Sequence, residues 1–118
     1  MAKIAVIVFA DTKSHGDLAR AVNALETAKE CQEVDDDVKV IFDGAGVQWA
    51  AKMADPDHQM HGLFESVRGS IAGACEFCAG AFHVRDKVEA GGVALLDEHE
   101  GHPSLRNLVA EGYEVITF

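Results

Sequence analysis

Lys3-Ile-Ala-Val-Ile-Val-Phe9 is an almost unbroken run of apolar, mostly β-branched residues near the start of the chain. No polar residue alternates with the apolar ones. The pattern therefore predicts a strand buried on both faces, as in a parallel sheet covered by helices. Asp11 to His15 follows as a polar loop. Ser14 and Asp17 resemble a capping box, with Asp in place of Glu. Leu18, Ala21, Val22, Leu25 and Ala28 then recur at helical spacing, which predicts a helix to about Glu33.

The same alternation continues outward. Val38 to Phe42 predicts a second strand, broken by Asp43-Gly44-Ala45-Gly46. Helices are expected over Val47 to Met53 and His58 to Val67, the second stopping at Gly69. Ser70 to Ala74 predicts a third strand, and one continuous helix should run from about Cys78 to Glu89. Val93 to Leu96 is a fourth strand. Pro103 suits the first position of a helix ended by Gly112, and Tyr113 to Phe118 is a final strand. Strands alternating with helices imply a single α/β domain over residues 1–118. Its expected form is a three-layer α/β/α sandwich around a mostly parallel five-stranded sheet.

Composition narrows the function. The 118 residues carry 20 acids against 10 bases, a formal charge of −10. Phosphate backbones and anionic lipid surfaces would repel such a chain, which argues against nucleic-acid and membrane partners. The apolar run at Ile4 to Ala10 is far short of the ~20 residues that span a bilayer. No cleavage-site pattern follows it, so a cytoplasmic location is expected. Three cysteines are an odd number, which excludes a full disulfide framework. No GxGxxG or GxxxxGK[ST] follows a strand, so nucleotide binding is not supported, and no cofactor is assigned.

Sites in open parallel sheets form beyond the carboxyl ends of the strands. The polar residues expected there are Asp11 and His15 after the first strand, Asp43 after the second, Cys75, Glu76, Phe77 and Cys78 after the third, and Asp97 to His99 after the fourth. Cys75-x-x-Cys78 is the most distinctive. A thiol at a strand-to-helix turn faces unpaired N–H groups, which favours the thiolate; Glu76 works against this. Four uses compete: a thioredoxin-type dithiol, a sulfane-sulfur carrier, a non-catalytic binding module, and zinc held by Cys75, Cys78, His99 and His102. The Glu76-Phe77 insert and the absence of a later strand-preceding proline weaken the first. Arg85, two helical turns past Cys78, is expected to lie too far away to touch the pair directly within one subunit. The catalytic candidates are Cys75 and Cys78. Asp11, His15, Asp43, Glu76, Phe77 and Ala79 are expected to line the pocket, with no metal assigned.

Gly73-Ala-Cys75-Glu-Phe-Cys78-Ala79, the first strand with its long helix, and the ending Pro103 to Ile116 together resemble the DsrE/DsrF-like (YchN-like) family. The resemblance spans the whole chain. It implies a three-layer fold, assembly as a homo-oligomer (trimer or hexamer), and sulfur relay through a persulfide on the cysteine ending the third strand, which is Cys75 here. Cys78 would be a resolving thiol. Partners would be a sulfur donor or acceptor protein. Where the family commonly has Arg-Gly after the cysteine, this chain has Phe82-His83. A short chain with apolar helices between Val47 and Val67 also suggests surface to bury against copies of itself.

Overall fold

The computed structural model describes all residues, 1–118. Five strands form one sheet: β1 Lys3–Val8, β2 Asp37–Phe42, β3 Ile71–Cys75, β4 Leu95–Leu96 and β5 Glu114–Thr117. Their spatial order is β4-β3-β2-β1-β5, and every neighbouring pair is parallel. The expected α/β fold is thus present, with the sheet parallel throughout.

This order explains how the layers are filled. The chain steps β1→β2→β3→β4 in one direction across the sheet. Right-handed crossovers in one direction put their helices on one face. These are α1 (His15–Glu33), α2 (Val47–Met53), α3 (His61–Ser66), α4 (Glu76–Ala81) and α5 (Arg85–Ala90). The chain then returns to the far side of β1, and that reversed crossover puts α6 (Leu105–Ala110) on the other face. Burial follows suit. Ile4, Val6, Val8, Val38, Val40 and Phe42 pack with Leu25, Trp49, Met53, Phe64 and Val88 into a core of 20 buried residues. Ala5, Ile7 and Ile41 pack with Leu108 and Tyr113 into a smaller cluster of 5, flanked by Ala72, Leu96, Leu105 and Val115. β1 has β2 and β5 on its two edges and a core cluster on each face, and Ala5 to Val8 are fully buried.

Several boundaries differ from expectation for local reasons. Ser14 does cap α1, accepting from the Asp17 N–H, but the Asp17 carboxylate reaches back to the Lys13 N–H. Helix α3 begins at His61 rather than His58, because the His58 ring accepts the Met60 N–H and holds that stretch in turns. Gly69 does not stop it; the chain passes at Val67 into a 3-10 turn over Arg68–Ser70. The helix expected from Cys78 to Glu89 is two, broken at Phe82–Val84, where His83 takes φ 58°. Pro103 precedes α6, whose cap is Ser104, accepting from the Asn107 N–H. β4 is only two residues long. The apolar side chains of Val47, Trp49, Ala50, Met53, Phe64 and Val67 face inward and are buried in the chain's own core.

Candidate functional site

Three chain segments meet above the carboxyl ends of β2, β3 and β4. β3 delivers Cys75 as the last strand residue and the N-cap of α4. One turn on, Cys78 donates its N–H to the Cys75 Sγ at 3.4 Å. Asp43 directly follows β2, and its carboxylate is held by the Gly44 N–H at 2.8 Å. Its Oδ1 stands 3.8 Å from the Cys78 Sγ.

The third segment is the loop after β4. His99 and His102 exchange two backbone hydrogen bonds of 2.8 Å, folding the loop back on itself. Glu100 and Gly101 between them both have positive φ, which glycine at 101 accommodates without cost. The fold-back aims two groups at Cys75. His102 Nδ1 lies 3.2 Å from its Sγ, and the Gly101 carbonyl lies 3.7 Å from it while accepting the Phe77 N–H at 2.9 Å. The Phe77 ring lies against the His102 imidazole, with centroids 4.9 Å apart.

Asp43, Cys75, Cys78 and His102 thus form one cluster, with one ligand-type atom from each lying within 4.8 Å of the others. Asp43 and Cys75 are buried; Cys78 and His102 are half-buried. Glu76, Phe77, Gly80, Arg85, Asp97 and Gly101 line an open depression of about 410 Å³ beside it.

Cys75 is fully buried, and its thiol is not easily ionised. Burial pushes its pKa up from 9.0 to about 12, and the Asp43 carboxylate and the Cys78 thiol add to the rise. The Cys78 N–H opposes them but does not prevail. The expected gain from the turn is therefore outweighed: one N–H at 3.4 Å offers less than the water lost on burial. The reachable member of the pair is Cys78.

Of the expected pocket residues, Asp43 joins the cluster, Glu76 and Phe77 border it, and Ala79 is buried beneath it in the core. Asp11 and His15 do not join. Asp11 accepts from the Thr12 N–H and the Gln48 amide, which hold its carboxyl below its usual range. His15 faces a separate depression with Trp49, Lys52 and His58. β1 and β3 are separated by β2, so their loops open onto different parts of the sheet's edge. His99 contributes its backbone only; its side chain is exposed. Arg85 makes no contact with either thiol, but it does reach the residue between them. The break at His83 turns α5 back so that its guanidinium pairs with Glu76, offsetting the charge beside Cys75. Cys31 lies half-buried on α1, outside the cluster, its thiol also pushed up by burial.

The His102 contact was legible only as one histidine in the acidic loop. Its choice over His99 depends on the direction of a fold-back that the sequence signals weakly, through Gly101 alone.

The chain is similar in fold to a conserved protein of unknown function, BT1422, from Bacteroides thetaiotaomicron. The TM-score is 0.64 at 16% identity, over 98% of this chain and 95% of that one. It is 30% identical over 115 residues to the uncharacterized protein MJ0733 of Methanocaldococcus jannaschii, spanning 97% of this chain and 93% of that protein. Residues 5–118 match the DsrE/DsrF-like family, and with its parallel α/β fold and the cysteine pair closing β3 the chain belongs to that family.

Proposed function

We propose that this protein is a sulfur carrier that holds sulfane sulfur as a cysteine persulfide on the Cys75–Cys78 pair. The observation that carries the reading is the convergence of two free thiols with an imidazole 3.2 Å from one of them. Loading begins at Cys78, the thiol with exposed surface. Its thiolate attacks the terminal sulfur of a donor persulfide, R–S–SH. A new S–S bond forms as the donor's S–S bond breaks, and the electron pair leaves with R–S⁻, which takes up the proton lost by the attacking thiol. No net oxidation occurs. His102 is the base at hand to move that proton. Attack by an acceptor thiolate reverses the step. Cys75, buried behind, is placed to receive or resolve the sulfur once the loop carrying His102 shifts.

The carrier would act in the cytoplasm, as a homo-oligomer exchanging sulfur with donor and acceptor proteins. Exposed Phe77 and Phe82, flanking the thiols, are surface such partners could cover. The complete burial of Cys75 favours a second reading, a non-catalytic interaction module. Intact-mass analysis after polysulfide treatment separates the two, in a Cys31→Ser background. A carrier gains the mass of one sulfur atom, and the gain disappears in Cys78→Ser. No gain, or an equal gain in the Cys75→Ser/Cys78→Ser double variant, overturns the carrier reading.

A further inference from the structure

We propose that Asp43, Cys75, Cys78 and His102 together bind one zinc(II) ion. This goes beyond the carrier reading, since it gives the same two sulfurs a second occupant.

The argument starts with geometry. The four donor atoms lie within 4.8 Å of one another, with Cys75 Sγ 3.2 Å from His102 Nδ1 and Cys78 Sγ 3.8 Å from Asp43 Oδ1. Tetrahedral zinc, with Zn–S near 2.3 Å and Zn–N or Zn–O near 2.0–2.2 Å, sets its ligand atoms roughly 3.3–3.8 Å apart. No separation here therefore needs to close by more than about 1.5 Å. Rotation of Cys78 and His102, both half-buried, supplies such a movement without disturbing the core.

The donor set fits as well. Two thiolates, one imidazole and one carboxylate are the ligand types that zinc uses, and four ligands complete a tetrahedron. The four come from three separate chain segments. Cys75 ends a strand, Cys78 lies in the following helical turn, Asp43 is tied to the Gly44 N–H, and His102 is tied to His99. Metal sites are usually assembled this way, from short local pieces held in register by a scaffold. The buried Asp43 carboxylate forms no salt bridge; its partners are the Gly44 N–H and the Cys78 thiol. A divalent ion would supply the missing positive charge. Entry is open on the side of Cys78 and His102. His99, the residue that spacing alone would pair with His102, is turned away, and Asp43 takes its place.

Zinc and a persulfide cannot share these sulfurs, so the metal-loaded protein would be closed to sulfur. The test uses the full chain, untagged, reduced and anaerobic, titrated with zinc(II) and with cobalt(II) as its spectroscopic stand-in. One equivalent should bind, with thiolate-to-cobalt charge-transfer bands and the visible spectrum of a tetrahedral ion. Affinity should fall about tenfold or more in Asp43→Asn, and further in Cys78→Ser and His102→Ala. His99→Ala should bind like wild type, and circular dichroism should show every variant folded. No stoichiometric binding, binding without thiolate bands, or binding lost in His99→Ala but kept in Asp43→Asn would overturn the assignment. Polysulfide loading is measured separately on the metal-free chain, so that loading can fail while zinc binding succeeds, and the reverse.

Discussion

Cys75 Sγ and His102 Nδ1 stand 3.2 Å apart across 27 residues of sequence. The contact joins the end of β3 to the loop after β4, the two strands at one side of the sheet. It sets a half-buried imidazole against a buried thiol. The hydrogen-bonding environment of Cys75 is thus set by the neighbouring strand's loop, whereas its reluctance to ionise is set by burial.

The first prediction concerns pH. With its pKa pushed to about 12, Cys75 is a thiolate in only about one molecule in ten thousand at pH 8. Its alkylation rate, read by peptide mass spectrometry, should rise without a plateau to pH 10, while Cys78 reacts faster throughout. Equal rates at pH 8 would contradict the burial argument. The same group couples to stability. The folded state keeps a proton that the unfolded chain releases above 9.0, so stability is full below that pH. It falls as pH rises from 9.0 towards about 12, by a few kcal/mol at most. Cys75→Ala should flatten this alkaline loss in denaturant titrations of the metal-free chain.

Asp43→Asn isolates the charge. The asparagine keeps an oxygen to accept the Gly44 N–H at the same place, so the loop should hold. Removing the negative charge beside both sulfurs lowers the cost of a thiolate. Alkylation of Cys75 in the metal-free protein should then speed up several-fold, more at low salt than at high. Unchanged rates would mean that Asp43 acts there only through its hydrogen bond.

Gly46→Ala tests the scaffold that carries Asp43. A Cβ at this position would lie 1.8 Å from the Val8 carbonyl oxygen, a backbone atom that cannot swing away. The turn after β2 would have to lift off the end of β1. Destabilisation of at least about 3 kcal/mol is expected in thermal or urea unfolding, at the upper end for single substitutions. By contrast Gly62→Ala, with no atom within 4 Å of the new Cβ, should be neutral or slightly stabilising. A mild effect at Gly46 would show that the two loops are not packed as described.

The sequence by itself determined the sheet and its parallel sense. Periodicity is a local property, and KIAVIVF needs both faces covered whatever surrounds it. The cap at Ser14, the break after Phe42 and the stop at Gly112 were legible for the same reason. The cysteine pair at the end of β3 was legible too, since a strand end is a local event. What only the tertiary structure decided was the strand order and, with it, which loops share an edge. β4 beside β3 brings His102 to Cys75, while β2 between β1 and β3 keeps Asp11 and His15 away. Burial was likewise a tertiary decision: whether a thiol at a turn is ionisable depends on how much water the neighbouring loop excludes. The kink at His83 is the clearest case, because the helical pattern runs straight through it. Only the folded chain shows α5 turning back to set Arg85 on Glu76.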